Sequence, residues 1–193
     1  MDKNEIKKMF NRLAKEWDAH PDDRSKEIER IFAALGNLQG KDVLDVACGT
    51  GILVKEYLKR GVATLDCIDI AEEMIAVAQR KYDTFPVHFI VGDAQNYPFK
   101  RKYDLIMIFN AFPHFYDTEE LFTHLTSSLK EGGLLCIAHS RSRKEINEVH
   151  QPDGIVSCTL PEIGELKEQA ERYLRVIHTV SDDSIYLLVG EKE

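Results

Sequence analysis

No stretch of this 193-residue chain stays apolar beyond the length of a β-strand, so nothing in it reads as a membrane-spanning helix. The start, MDKNEIKK, lacks an apolar signal region, and the expected location is the cytoplasm. Cysteine is sparse and scattered. Cys48, Cys67, Cys136 and Cys158 show no CxxC or zinc-type spacing, and three of them lie in or beside apolar runs. Reduced core thiols are the expected state. Positive charge is in deficit, with Lys+Arg 25 against Asp+Glu 33 and a net charge of −8. That argues against broad binding to nucleic acid or to an anionic membrane. Internal repeats, low-complexity tracts and linkers are also missing. The length suits one structural domain, and the 44% apolar share is enough to build its core.

What is present is alternation. Ile6, Met9, Phe10, Leu13 and Trp17 form one helical stripe. "HPDD" then breaks the chain, and Asp22 or Asp23 is placed to cap a second helix with the stripe Ile28, Ile31, Phe32 and Leu35. From Lys41 onward, strand-length apolar runs alternate with helical segments. The expected strands are Val43–Ala47, Thr64–Ile68, Val87–Val91, Tyr103–Phe109 and Leu134–Ala138, with helices near 52–60, 72–82 and 118–130. A Ser142-x-x-Glu145 capping box starts a short helix up to His150. Pro161 fits the first turn of another, through about Arg172. Tyr173–Val180 and Ile185–Val189, split by "SDDS", read as a hairpin. Continuous apolar strands with helices between them predict an α/β fold with a doubly wound, mostly parallel sheet and an antiparallel C-terminal hairpin, seven strands in all. The expected division is a helical cap over 1–39 and a ligand-binding domain over 40–193. In such sheets ligands sit beyond the carboxyl ends of the strands.

The turn after the first strand carries the first chemical signal. In "VLDVACGTG", Gly49 and Gly51 permit unusual dihedrals and close approach of a ligand. A dinucleotide turn wants a third small residue, where this chain has Val54, and the P-loop pattern is absent. Asp45, inside the strand, would repel a pyrophosphate and suits a ligand with a cationic end. A tight turn with no ligand is the bland alternative. Asp69 ends the second strand, where its two oxygens suit both hydroxyls of a ribose; a helix cap is the alternative. Asp93 follows the third strand, where an Asx-turn after Gly92 would also explain it. Asp66 and Asp104 lie away from that face and read as structural.

"VLDVACGTG" resembles motif I of the class I S-adenosylmethionine-dependent methyltransferases, with Ala47 where the first glycine of Asp/Glu-x-Gly-x-Gly-x-Gly is usual. "LDCIDIAEEM", "FIVGDAQNYPF", "KYDLIMIFNAFPHF" and "LKEGGLLCIAHS" resemble the later motifs in order. The resemblance implies a Rossmann-like methyltransferase fold and S-adenosylmethionine as cofactor. It implies Asp45, Ala47, Gly49, Gly51, Asp69, Ile70, Asp93, Ala94 and Asn110 as cofactor-binding positions, with Asp93 accepting from the adenine amino group and the Ala94 N–H facing the ring. The implied reaction is an in-line displacement onto a small-molecule acceptor, in which the protein mainly holds two reactants aligned.

Acceptor-side candidates are Trp17, Phe112, Tyr116, Arg141 and His150. His114 and His139 are candidates for a general base. Together with His150 they could instead hold a metal, or all three could simply bond backbone at loop ends; the spacing fits no metal motif. "RSRK" could bind a carboxylate or phosphate on the acceptor, or be a solvated helix start. "MFNRLAKEWDAHP" resembles the N-terminal lid of small-molecule methyltransferases, including quinone-biosynthesis C-methyltransferases, with Trp17 and Asp18 as its aromatic–acid pair. Phe10, Trp17, Phe112 and Phe115 could line an apolar acceptor pocket. "NAFP" lacks the first proline of the base-modifying amino-methyltransferases, which speaks against nucleobase or glutamine targets. The acceptor atom is left open among sulfur, oxygen, nitrogen and carbon, and a quinone-type C-methyltransferase, a non-catalytic cofactor-binding protein and a dinucleotide-dependent oxidoreductase are the rival readings.

Overall fold

A computed structural model describes residues 1–19, 22–150 and 155–193, without the side chains of Val149 and His150. Seven strands form one sheet: β1 (Asp42–Val46), β2 (Thr64–Asp69), β3 (His88–Val91), β4 (Tyr103–Phe109), β5 (Leu129–His139), β6 (Arg175–Ser181) and β7 (Tyr186–Glu191). Their order is β3-β2-β1-β4-β5-β7-β6. The chain starts in the middle, runs out through β2 and β3, then returns to β4 on the other side of β1. The pairs from β3 to β5 are parallel, and β7 runs antiparallel to both β5 and β6. β7 is therefore inside the sheet, with β6 forming the edge beyond it.

The helices are α1 (Lys3–Leu13), α2 (Ser25–Ala33), α3 (Val54–Lys59), α4 (Glu72–Lys81), α5 (Thr118–Ser127), α6 (Arg143–His150) and α7 (Ile163–Ala170). Strand residues alternate between two cores. Leu44, Val46, Ile106 and Ile108 face a layer that includes Phe122, Ile146 and Leu166 of α5, α6 and α7. Val43, Leu65, Leu105 and Met107 face Phe32, Tyr57 and Ile75 of α2, α3 and α4. Apolar burial on both faces of the parallel strands is why they read as unbroken runs.

α1 stands apart from both cores. Its stripe is anchored by Ile6, and the following Ala14 meets Ala71 and Met74 in a small separate cluster with Phe10. α2 behaves differently: Ile31, Phe32 and Leu35 are buried in the main core. The two N-terminal helices thus serve different layers.

Some boundaries differ from those expected. β5 begins at Leu129 rather than Leu134, because Gly132 and Gly133 lie within a paired strand although their composition reads as a turn. Its register with β4 shifts between Tyr103 and Leu105. Pro161 stands just outside α7, which is opened by a Glu162/Glu165 capping box. The Ser142/Glu145 box is present, with Ser142 N–H donating to Glu145 Oε2 and Glu145 N–H to Ser142 Oγ. Asp23 accepts from the Ser25 N–H at the start of α2.

Candidate functional site

β1 ends in a turn whose backbone alternates in hand. Ala47, Gly49 and Gly51 have φ of 55°, 54° and 80°. Glycine takes such angles freely, while alanine is strained there. A Cβ on Gly51 would lie 2.9 Å from the Tyr82 ring and 3.1 Å from Val54, so that glycine is needed for packing. A Cβ on Gly49 would meet nothing within 4 Å. Gly49 itself lines a cavity.

That cavity, of about 430 Å³, lies over the carboxyl ends of β1, β2, β3 and β4. Its size falls in the range of small-molecule sites, roughly 300–1,000 Å³. Asp45, Ala47, Gly49, Asp69, Ile70, Asp93, Ala94 and Asn110 all line it. Gly51 does not; its part is to shape the turn. Ile6 and Phe10 of α1, followed by Trp17, close over the opposite side.

The three acids sit in different electrostatic settings. Asp69 accepts the Gly49 N–H at 2.9 Å on one oxygen and the Ala71 N–H at 2.8 Å on the other. These bonds fix the carboxylate's plane. Burial pushes its pKa up to about 6, against the pull of the Ala71, Gly49 and Ile70 N–H groups. Asp45 is fully enclosed. Burial first, and then repulsion from Asp69, push it up to about 8, with the Tyr57 hydroxyl pulling the other way. A cationic group beside Asp45 would relieve that penalty. Asp93 differs: burial opposes its ionisation, but Lys3, Tyr116 and the Gln95 N–H outweigh it and hold the carboxyl below its ordinary value. Lys3 Nζ lies 2.8 Å and the Tyr116 hydroxyl 2.7 Å from the same Asp93 oxygen.

Asn110 has a φ of 53°, which asparagine tolerates. Its side chain accepts the Ser140 N–H at 2.9 Å and donates to Ser140 Oγ at 3.1 Å, clipping the ends of β4 and β5 together. Thr50 Oγ1 donates to Asp18 at 2.7 Å, and Lys81 pairs with the same side chain at 2.8 Å. The glycine turn and the segment after α1 are thereby joined.

The acceptor-side candidates divide. Trp17, Tyr116 and Arg141 line the cavity, together with Phe10, His114 and Phe115. His114 Nδ1 lies 2.8 Å from the Val156 carbonyl, and its ring meets Phe10 edge-on with centroids 5.0 Å apart. Two expectations need correction. His139 does not line the cavity: it is wholly buried, its ring 6.1 Å from that of Tyr186 in the core under α6 and α7. It ends a strand flanked by β7, and the strand period turns it into that core. Phe112 likewise turns away and packs on Phe122, with centroids 6.3 Å apart. The His150 side chain lies outside the described residues. Among the described residues, no group of three or more His, Cys, Asp or Glu is arranged to hold a metal ion. Arg143 leaves the basic cluster to bind the Leu160 carbonyl and Glu162. Asp66 and Asp104 bond Tyr103 and Lys130, away from the cavity.

Sequence reasoning missed Lys3 and Ile6 as neighbours of the site, because only their helix was expected there. It missed Gln95, whose side chain donates to the Asp117 carbonyl and accepts the Tyr116 N–H. It placed Tyr116 on the acceptor side, whereas Tyr116 bonds Asp93. The one available signal was proximity in sequence: Gln95 follows Asp93 by two positions.

Residues 43–133 match the family described as a methyltransferase domain. The chain is 33% identical over 141 residues to malonyl-(acyl-carrier protein) O-methyltransferase 1 of Ilyobacter polytropus, covering 72% of this chain and 53% of that protein. It is 34% identical over 142 residues to the malonyl-(acyl-carrier protein) O-methyltransferase of Acetivibrio thermocellus, covering 72% and 50%. The chain thus spans about half the length of these two relatives. A solved complex of DhpI with SAH aligns with a TM-score of 0.76 at 21% identity, over 96% of this chain and 94% of that one. Magnesium protoporphyrin IX methyltransferase of Synechocystis with bound SAH aligns with a TM-score of 0.73 at 18% identity, over 100% of both chains. At these identities the structures establish the fold.

Proposed function

Residues 43–133 belong to a methyltransferase domain, and from that premise we propose that the chain is a class I S-adenosylmethionine-dependent methyltransferase that transfers a methyl group to an oxygen of a small acceptor. The convergence of Asp45, Asp69 and Asp93 on one cavity floored by Gly49 carries the reading. The donor set fits the cofactor piece by piece. Buried Asp45 calls for the cationic amino end, the oriented oxygens of Asp69 suit the paired ribose hydroxyls, and Asp93 with the Ala94 N–H suits the adenine edge. The open space at Gly49 admits the ligand where any side chain would fill it.

When bound, the cofactor supplies a methyl group already activated on a positively charged sulfur. The chain's own residues bind, align and exclude water. Phe10 and Trp17 offer aromatic faces that attract a cation and shield the site. The covering part is α1 with the segment after it, while α2 belongs to the core. Oxygen as the acceptor atom accords with the O-methyltransferase names of the relatives. A carboxylate arrives ionised and needs no base; a hydroxyl needs one, and His114 is the residue assigned to it. With Nδ1 donating to the Val156 carbonyl, the neutral ring carries its lone pair on Nε2.

Calorimetry with S-adenosylhomocysteine tests the reading. Asp69→Ala is expected to weaken binding at least about tenfold, the loss of two hydrogen bonds to a carboxylate, with the fold retained. Unchanged affinity removes the ribose role. A wild-type chain stabilised by a nicotinamide dinucleotide and not by S-adenosylhomocysteine removes the whole reading.

A further inference from the structure

Arg141 is the one lysine or arginine among the described residues that lines the cavity. It extends from the loop between β5 and α6. Its Nη2 lies 2.5 Å from Asp22 Oδ2, and the Arg24 Nε lies 2.8 Å from the same oxygen. Two guanidinium groups therefore share one oxygen of one half-exposed carboxylate. Glu145, a second acid that feels the charge of Arg141, is committed elsewhere. Its Oε2 takes the Ser142 N–H at 3.0 Å and the Ser142 hydroxyl at 2.9 Å. The cavity's lining also includes the apolar side chains of Ile6, Phe10, Trp17, Phe115 and Ile146.

A guanidinium that lines a cavity matches a planar anion with two oxygens. In the resting chain Asp22 supplies that anion from the segment between α1 and α2. Its hold is an ion pair open to solvent, of the kind that contributes little to stability and is readily exchanged. We propose that Arg141 anchors a carboxylate group carried by the methyl acceptor, and that Asp22 stands in that place until the acceptor arrives. The inference rests on the proposed methyl transfer, since it takes the cavity in front of Arg141 as the acceptor's share of the site.

The exchange replaces one carboxylate by another, so the guanidinium is never left without a counter-charge at the cavity edge. A neutral acceptor would have to leave Arg141 with Asp22 and gain nothing from it. A cationic acceptor would be repelled by Arg141. Arg24, which also holds Asp22, gives the displaced segment a place to remain.

The test uses the full chain saturated with S-adenosylhomocysteine. Binding of that nucleoside is measured first; its failure in the wild type refutes the cofactor reading and is distinct from any failure in the acceptor titrations. Hexanoate and 4-hydroxybenzoate are then titrated, each against its methyl ester, by calorimetry and by the fluorescence of Trp17, the single tryptophan of the chain. The wild type is expected to prefer each acid over its ester at least about tenfold. Arg141→Gln is expected to abolish that preference with nucleoside affinity unchanged. Asp22→Asn, by removing the resident competitor, is expected to tighten acid binding severalfold. Equal binding of acid and ester in the wild type, no measurable binding of either, a preference that survives Arg141→Gln, or weaker acid binding in Asp22→Asn overturns the proposal.

Discussion

Ala47 carries a φ of 55° at a position where glycine would be unstrained. The left-handed conformation costs an alanine about 1–2 kcal/mol, while glycine loses about 0.5–1 kcal/mol of extra backbone entropy. Ala47→Gly should therefore stabilise the chain by up to about 1 kcal/mol, raising the melting temperature by about 2–4 °C; a lower melting temperature contradicts this. Asp45 gives a second prediction. An unfolded aspartate loses its proton near about 3.9, whereas Asp45 keeps its proton up to about 8. Between those values the folded chain binds more protons than the unfolded one, so stability falls as pH rises through the window. Asp69, raised to about 6, adds to the lower half of that fall. Urea unfolding without ligand should show a lower midpoint at pH 8 than at pH 5, and Asp45→Asn should flatten the upper part of the slope. A wild type equally stable at both values contradicts the burial argument.

At the scale of elements, α1 is held by a few contacts that also touch the site. Lys3 pairs with Asp93, Lys7 with Glu72, and Asn11 accepts the Glu73 N–H. Lys7 and Glu72 are both well exposed, and such pairs contribute about 0–1 kcal/mol. Lys3 occupies an Asp93 oxygen that the adenine amino group would use. Lys3→Met is therefore expected to tighten S-adenosylhomocysteine binding in a calorimetric titration. Weaker binding would make Lys3 part of the holding site rather than a competitor for it. The parallel elements are the most legible in sequence: β4 reads as Tyr103 to Phe109, as found, because a doubly buried strand is continuous in hydrophobicity. The start of β5 is hidden, because Gly132 and Gly133 carry turn chemistry inside a strand.

At the scale of the molecule, the sheet order decides which residues meet. The neighbouring parallel strands β1, β2 and β3 bring Asp45, Asp69 and Asp93 to one cavity although 48 positions separate the first from the last, and the return to β4 adds Asn110. Strand-end position and side-chain chemistry make those acids legible without any coordinates. The same rule fails at His139, because β7 continues the sheet beyond β5 and Tyr186 closes over that side chain. Contacts from α1 are illegible for a different reason: a helical stripe states which face is apolar and not what it covers.

The most direct measurement is a crystal structure of the chain with S-adenosylhomocysteine. It should show the ligand's amino group at Asp45, its ribose hydroxyls on Asp69 and its adenine amino group on Asp93, with Lys3 withdrawn. A nucleoside bound elsewhere, or bound in this cavity without touching those three carboxylates, would contradict the account.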